Sequence, residues 1–132
     1  MKLRSILLGA VALTMLSATA AFAVDYVGGA IKTMNVDGKD VLTDANGMTL
    51  YTFDKDAPGV SNCYDKCAEN WPPLFAEAGA TPEGEFTLVT RTDGTMMWAH
   101  NGEPLYLWVK DEKPGDTTGD GVGEVWHTAV DD

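Results

Sequence analysis

The chain contains 132 residues, of which 20 are acidic and 9 basic, so its formal net charge at pH 7 is −11. A protein this acidic repels phosphate backbones, which argues against nucleic acid and anionic lipid as partners, whereas cations and basic protein surfaces are attracted. The length suits one domain with one hydrophobic core, and we expect a monomer.

The first 23 residues have the pattern of a cleavable secretory signal peptide. Lys2 and Arg4 supply a positive n-region, residues 6–16 supply an apolar stretch, and the Ala-Phe-Ala sequence at 21–23 supplies the small residues of a cleavage site. An uncleaved membrane anchor is the alternative, but the apolar run is short for a span of about 20 residues. Cleavage after Ala23 would release residues 24–132 into the periplasm or beyond, with no membrane span. Their charge is −13 rather than −11, because the leader holds two cations and no acid.

The most informative feature of the remaining sequence is an internal duplication. Residues 46–56 and 101–111 share an Asn-Gly pair followed by Leu-Tyr-x-aromatic-x-Lys-Asp, at a constant offset of 55 residues. Trp71 and Trp126 keep the same offset. Such a repeat indicates one supersecondary unit that occurs twice and completes a shared core. We place repeat one at about residues 35–78 and repeat two at about 85–130, within a single domain of residues 24–132.

Both repeats are predicted to form β-structure. Each contains one Asp-Gly and one Asn-Gly dipeptide, which favour tight hairpin turns because the central residues adopt positive φ. These dipeptides are Asp37-Gly38, Asn46-Gly47, Asp93-Gly94 and Asn101-Gly102. Their spacing predicts a three-strand meander in each repeat, with the aromatic motif on the third strand. In the second copy Leu105, Leu107 and Val109 share an apolar face, so that strand is predicted to be central in its sheet. The equivalent strand of the first copy is expected to be more exposed to solvent. The predicted fold class is mainly β, a small antiparallel domain with a last strand at residues 125–130.

The segment after the first motif contains the two cysteines. Ser61 is a candidate N-cap for a short helix or turn around Cys63 and Cys67, which the Trp-Pro-Pro sequence at 71–73 would end. An oxidising compartment favours a disulfide between them. Residues i and i+4 of a regular helix lie too far apart for that bond, so a bridge implies a tightened turn. A redox-active or metal-binding pair is the alternative.

These residues carry a resemblance to a known family. The duplicated Tyr-x-aromatic-x-x-Asp motif, the cysteine pair and both repeat tryptophans occur in order; the motif residues are Tyr51, Phe53, Asp56, Tyr106, Trp108 and Asp111. The chain resembles the bacterial secreted-repeat family, whose members are described as predicted lipoproteins. The resemblance implies an exported module without an established activity. Many members carry a lipid-attachment cysteine, and no cysteine follows Ala23 directly here, which argues against lipid anchoring.

The motif has a structural and a functional interpretation. Aromatic residues two apart fill a core at strand spacing, and Asp56 and Asp111 can accept hydrogen bonds from turn amides or a neighbouring hydroxyl. Alternatively, the repeat holds the two carboxylates together for a cation or for acid and base chemistry. The first interpretation is favoured, because spacing alone does not show that the carboxylates approach each other.

An acidic, glycine-rich loop suggests a calcium site. Asp116, Asp120 and Glu124 supply the hard oxygen ligands that Ca²⁺ prefers. Their spacing does not match an EF-hand loop. A solvated acidic turn is therefore the favoured interpretation.

A second metal hypothesis concerns copper. Met96, His100 and His127 offer thioether and imidazole ligands that suit copper(I) in an exported protein. Strand alternation places Met96 and His100 on one face, and His127 would join them only if the last strand lies beside theirs. A hydrophobic strand whose Met and Trp side chains pack in the core is the favoured explanation.

Enzyme hypotheses find little support in the sequence. It contains no nucleophile elbow, no zinc-protease motif, no phosphate loop and no dinucleotide fingerprint. We expect no cofactor and a non-catalytic binding or envelope-associated module, whose partner is an unidentified envelope protein or small ligand. A metal-handling protein is the alternative, followed by a thiol-disulfide redox protein or a carboxylate-based hydrolase.

Overall fold

Our computed structural model describes residues 24–131 of the chain, which contain eight short strands, one α-helix and two 3-10 turns connected by loops. The elements are β1 (Asp25–Tyr26), β2 (Ile31–Val36), β3 (Lys39–Asp44), β4 (Tyr51–Phe53), α1 (Lys66–Asn70), β5 (Phe86–Thr90), β6 (Met96–His100), β7 (Glu103–Pro104) and β8 (Trp126–Thr128). The predicted leader and its cleavage site lie outside the described residues. None of the helices described is long and apolar enough to cross a membrane.

A three-stranded antiparallel sheet lies in each half of the domain, and a two-stranded sheet joins the halves. The sheet orders are β1-β2-β3, β5-β6-β7 and β4-β8. Since β4 belongs to the first repeat and β8 to the second, their pairing connects the two copies. β1 and most of β2 precede residue 35, where repeat one was predicted to begin. The motif strand β4 pairs with β8, so the β1-β2-β3 sheet is not the meander predicted for repeat one, which had the motif on its third strand. The mainly β, antiparallel fold predicted from the turns and the duplication is confirmed.

The four predicted turns divide into two types. Asp37-Gly38 and Asn101-Gly102 form two-residue hairpins with positive φ at both residues, of 52° and 84° in the first and 53° and 85° in the second. At the other two turns only the glycine has positive φ. There an aspartate caps a longer loop: Asp44 accepts the amides of Asn46 and Met48, and Asp93 accepts the amide and hydroxyl of Thr95.

The third strand of the second repeat differs from the prediction. Only Glu103–Pro104 forms β7, and Tyr106 then leaves the sheet to bridge Tyr51 and Pro73. The predicted central strand with an apolar face is therefore wrong beyond residue 104, and Val109 is 51% exposed. The equivalent segment of the first copy is also less exposed to solvent than predicted, because Leu50 is fully buried.

Two hydrophobic clusters lie on the two faces of β6. Trp98 packs in a cluster with Ile31, Leu42 and Leu50. Met97 and Ala99 point to the other cluster, which contains the motif tyrosines and the repeat tryptophans. Because side chains alternate along a strand, burial on both faces explains why the β6 sequence is apolar at consecutive positions.

The helix begins later than predicted. Its N-cap is Asp65, with φ of 56° and no side-chain capping bond, and the first helical residue is Lys66. Ser61 is not the cap, because its hydroxyl is used in the buried network described below. The end agrees with the prediction: the amide of Trp71 bonds the carbonyl of Cys67, and Pro72 follows.

Candidate functional site: the junction of the two repeats

Equivalent residues of the two repeats meet at the centre of the domain. The amide of Tyr51 donates to the carbonyl of Tyr106 at 2.8 Å, and the amide of Tyr106 donates to the carbonyl of Tyr51 at 2.9 Å. The two tyrosines are 55 residues apart, the offset of the duplication. A position that pairs with its own equivalent is the mark of a two-fold, self-complementary contact. The junction therefore lies on the pseudo-symmetry axis of the repeats.

The duplicated motif is connected crosswise. The hydroxyl of Tyr51 donates to Oδ2 of Asp111 at 2.6 Å, and the hydroxyl of Tyr106 donates to Oδ2 of Asp56 at 2.7 Å. Each tyrosine thus bonds the aspartate of the other copy. We call these two bonds the crossed pairs.

Each aspartate also anchors the turn of its own copy. Oδ1 of Asp56 accepts the amide of Asn62 at 2.7 Å, and Oδ1 of Asp111 accepts the amide and the hydroxyl of Thr118 at 3.0 and 2.6 Å. These are the hydroxyl and turn-amide partners that the structural interpretation of the motif requires. Each carboxylate has its own set of donors, so the two act as separate anchors.

The surroundings keep both tyrosines protonated. Burial, with the carboxylate acceptor, raises the pKa of Tyr51 and of Tyr106 well above the usual range. Burial also raises the pKa of Asp56, although the hydrogen bonds from Tyr106 and Asn62 oppose this shift. Neutral hydroxyl donors facing carboxylate acceptors make short, charge-assisted hydrogen bonds.

The Asp56 side of the junction continues into a buried chain of donors. Arg91 is only 5% exposed, and its Nη1 donates to the hydroxyl of Ser61 at 3.0 Å. The hydroxyl of Tyr106 already donates to Asp56, so Ser61 donates to Tyr106 across their 2.6 Å contact. The order of donors is Arg91, Ser61, Tyr106 and Asp56. Two hydroxyls therefore connect a buried cation to a carboxylate, and such chains strengthen each bond by polarisation.

The guanidinium group of Arg91 also contacts the cysteine turn. Its Nη2 donates to the carbonyl of Cys63 at 2.8 Å, and its guanidinium lies 4.2 Å from the ring centroid of Tyr64. Cys63 and Cys67 form a disulfide with an S–S distance of 2.03 Å and a Cα–Cα distance of 5.2 Å. The predicted disulfide is confirmed. The tightened turn is also present, since Asp65 between the cysteines has positive φ.

A stack of four aromatic rings crosses the junction in the same way as the tyrosines. Phe53 stacks on Trp126 at a centroid distance of 4.2 Å, Trp126 on Trp71 at 3.8 Å, and Trp71 on Trp108 at 3.9 Å. Phe53 and Trp108 are equivalent positions, as are Trp71 and Trp126. Phe53 and Trp108 therefore each stack on the tryptophan of the other repeat. The aromatic stack thus crosses between the repeats in the same way as the Tyr–Asp hydrogen bonds.

The junction leaves no space at Gly119, which sequence reasoning missed. A Cβ atom built there would lie 2.8 Å from the ring of Trp71 and 2.9 Å from the ring of Tyr51. The amide of Gly119 also donates to the hydroxyl of Tyr51 at 3.2 Å. A glycine in an acidic loop signals a turn, and only the structure reveals this close approach.

The residues of the copper hypothesis lie on different sheets. His100 ends β6 with Nε2 3.2 Å from Oε1 of Glu85, whereas His127 lies on β8 with Nε2 2.8 Å from Oδ2 of Asp54. Met96, at the start of β6, accepts a hydrogen bond from the Thr90 hydroxyl. The structure gives each histidine its own carboxylate neighbour.

The acidic residues of the calcium hypothesis have separate local contacts. Asp116 accepts the amides of Glu112 and Lys113 and pairs with the Lys113 ammonium group at 3.0 Å. Asp120 accepts the amide of Thr128 at 2.9 Å. Glu124 ends a 3-10 turn with φ of 64°.

Within residues 24–131 one group of three potential metal-ligand side chains occurs, and it is neither the copper group nor the calcium group predicted from the sequence. Glu85, His100 and Asp131 each bring one ligand atom within 4.8 Å of the other two. Sequence reasoning selected only His100 of these three.

An open groove of about 880 Å³ lies away from the junction. It runs between the segment that links the repeats, the turn at residues 44–46 and the 3-10 turn Val27–Gly29. Leu74 and Trp98 contribute its apolar surface, and its charged residues are Asp44, Glu77 and Glu83. No Lys, Arg or His lines it among the residues described.

The fold and the junction define a class of protein: a duplicated β-domain in which each copy completes the other. A family model for a secreted repeat of unknown function matches residues 32–75 and 87–130, so the chain belongs to that family. The two matched segments keep the 55-residue offset, and the resemblance seen in the motif is confirmed. No curated protein and no solved structure is detectably similar to this chain.

Proposed function

We propose that this secreted-repeat protein is a non-catalytic binding module that accepts a basic, partly apolar segment of another protein in the acidic groove. The observation that supports this proposal is the composition of the groove wall. Three carboxylates, from Asp44, Glu77 and Glu83, have no basic residue beside them in the groove. Charge of one sign concentrated in a cleft attracts ligands of the opposite sign.

The apolar part of the groove supports a peptide over a bare amine. Phe75 lines the groove and is 55% exposed, whereas Leu74 and Trp98, which also line it, are largely buried. A segment that alternates Lys or Arg with apolar side chains would place cations beside the three carboxylates and apolar groups on this surface. Binding sites of this kind combine an apolar lining with a few oriented polar groups.

The site of action in this proposal is the periplasm or the medium outside the cell, after cleavage behind Ala23. The Cys63–Cys67 disulfide supports an oxidising compartment, because such bonds persist there. The net charge of −13 from residue 24 onwards supports attraction of a basic partner over a distance.

The test is a titration of the exported protein with a synthetic peptide of alternating Lys and Leu residues, followed by tryptophan fluorescence. We expect the double variant Glu77→Gln, Glu83→Gln to bind about fivefold more weakly, because each exposed ion pair contributes roughly 0.2–1 kcal/mol. The matched control is Glu69→Gln, Glu112→Gln, which removes two exposed acids outside the groove.

Three outcomes have separate meanings. Weaker binding by the groove variant alone supports the proposal. Equal weakening in both variants would show that net charge, and not the groove, attracts the peptide, and absence of binding would also refute the proposal. If a polyamine without apolar groups binds as tightly as the peptide, the partner is not a protein segment.

A further inference from the structure

Three ligand-type side chains from distant parts of the sequence meet at the end of β6. Glu85 precedes β5, His100 ends β6, and Asp131 follows β8. One potential ligand atom from each lies within 4.8 Å of the other two. This group is separate from the acidic groove, which none of the three lines.

His100 is the fixed member of the group. Its side chain is 7% exposed, and its ring stacks on Phe86 with a centroid distance of 4.9 Å and an interplanar angle of 28°. Phe86 pairs with His100 in the β5–β6 ladder. The amide of Asn101 donates to the carbonyl of Glu85 at 2.9 Å, so the backbone beside both Glu85 and His100 is held in place.

Asp131 is oriented from a third part of the chain. The hydroxyl of Tyr26 donates to its Oδ2 at 2.6 Å, and its amide donates to the carbonyl of Asp40 at 2.8 Å. Oδ1 of Asp131 forms no hydrogen bond within the described part of the chain. An outer hydrogen bond that orients a ligand carboxylate is a regular feature of metal sites.

The charges of the group favour a cation. Two carboxylates lie beside one imidazole, and between residues 24 and 131 neither carboxylate forms an ion pair with a lysine or an arginine. Two like charges at such a distance repel each other unless a proton or a cation lies between them.

We propose that Glu85, His100 and Asp131 bind one divalent transition-metal ion of the zinc type. Nε2 of His100 and Oε1 of Glu85 share a hydrogen bond of 3.2 Å, which metal binding would replace. Two ligands that are each about 2.0–2.2 Å from one ion lie roughly 3–3.5 Å apart, so this pair already has the spacing of two coordination positions. The Glu85 side chain is 57% exposed and is free to adjust toward Asp131.

The chemistry of the ligands selects the class of metal. One imidazole nitrogen with two carboxylates suits zinc and its neighbours, whereas calcium and magnesium prefer oxygen ligands alone. None of the three residues offers a sulfur ligand, so the site differs from the copper hypothesis based on Met96, His100 and His127. Three protein ligands leave at least one position open to water or to another ligand.

The test is competition for Zn²⁺ between the protein and a chromogenic chelator. The protein is synthesised with residues 1–23 and purified from a bacterial periplasm with its disulfide intact. We expect one Zn²⁺ per chain, with at least tenfold weaker binding in Glu85→Gln and in Asp131→Asn. An excess of Ca²⁺ or Mg²⁺ should leave Zn²⁺ binding unchanged.

The second histidine supplies a matched control. His127 also faces a carboxylate, Asp54, at 2.8 Å, but this surface pair belongs to no three-ligand group among the residues described. Asp54→Asn should therefore bind Zn²⁺ as tightly as the unchanged protein. Circular dichroism of each variant establishes that it is folded, and because Glu85 is exposed its substitution is expected to leave the fold intact.

The results that overturn the proposal are equally specific. Absence of one-to-one binding refutes it, as does tenfold weakening in Asp54→Asn with none in Glu85→Gln. Tyr26→Phe adds a further measurement, because loss of the hydrogen bond to Asp131 should weaken Zn²⁺ binding without removing a ligand. Unchanged affinity in that variant together with unchanged affinity in Asp131→Asn would exclude Asp131 from the site.

Discussion

The crossed pairs predict an energetic coupling between the repeats. The perturbation is Tyr51→Phe combined with Asp111→Asn, which removes the hydroxyl donor of the 2.6 Å hydrogen bond and replaces its carboxylate acceptor with a neutral amide. A buried hydrogen bond to a charged group contributes about 1.5–3 kcal/mol to stability, and Gly119 also loses its acceptor on Tyr51. We therefore expect Tyr51→Phe alone to lower the free energy of unfolding by about 2 kcal/mol.

The double-mutant cycle isolates the bond itself. We expect a coupling energy of about 1–2 kcal/mol between Tyr51→Phe and Asp111→Asn, because the second substitution removes a partner that is already lost. The control cycle combines Tyr51→Phe with Asp56→Asn, the aspartate of the same motif copy. Those two residues share no hydrogen bond, so their effects should add to within about 0.5 kcal/mol.

The assay is equilibrium unfolding in urea, followed by the fluorescence of the stacked tryptophans. The denaturant dependence must stay constant across the variants for the free energies to be comparable. Equal coupling in both cycles, or stronger coupling within one copy, would refute the crossed arrangement.

Three further predictions concern the same junction. Gly119→Ala places a Cβ atom 2.8 Å from the ring of Trp71 and should cost about 1–3 kcal/mol in urea unfolding; an unchanged midpoint would show that the loop yields. Replacement of both cysteines by Ala opens a ring with a sequence separation of 4 and should cost about 2 kcal/mol, measured against the oxidised protein; a much larger loss would mean that the disulfide acts on the folded state. Above pH 10 stability should fall, because the pKa of Tyr51 and of Tyr106 is raised in the folded protein, so that the folded state retains protons that the unfolded state releases. The expected slope is roughly 1.4 kcal/mol per pH unit for each of these tyrosines, and phenolate absorbance at 295 nm that rises in full before unfolding would contradict it.

Sequence reasoning predicted the features that depend on local spacing. The 55-residue offset, the Asp-Gly and Asn-Gly turns and the cysteine pair all act over a few residues or repeat at a fixed distance. Each therefore leaves a signal in a single sequence. The antiparallel β-fold and the disulfide followed from these signals.

The errors arose where a distant residue determines the outcome. Serine is a common helix N-cap, but the hydroxyl of Ser61 is hydrogen-bonded to Arg91 and Tyr106. The helix therefore begins later, at Lys66. The leucines after Pro104 predicted a central strand of the sheet. Instead, the amide of Leu107 donates to the carbonyl of Pro72, which lies outside the β5-β6-β7 sheet. Neither contact has a signal in the local sequence.

The crossed hydrogen bonds between the two motif copies could not be predicted from the sequence, for a related reason. Two identical motif copies give equal support to a Tyr–Asp bond within a copy and between copies. Only the backbone pairing of Tyr51 with Tyr106 determines which aspartate each hydroxyl reaches. Asp131 likewise lies 31 positions from His100, and nothing in its neighbourhood marks it as a partner.

The crossed junction implies that the duplicated chain is a tethered dimer. A single repeat would expose a tyrosine, an aspartate and a tryptophan whose partners lie in the other copy, and two such chains would meet as equals about a two-fold axis. Fusion into one chain turns that association into an intramolecular step at high effective concentration. The fold should then be independent of dilution, and its two halves are free to differ: one contains the cysteine turn, and the other contains the acidic loop.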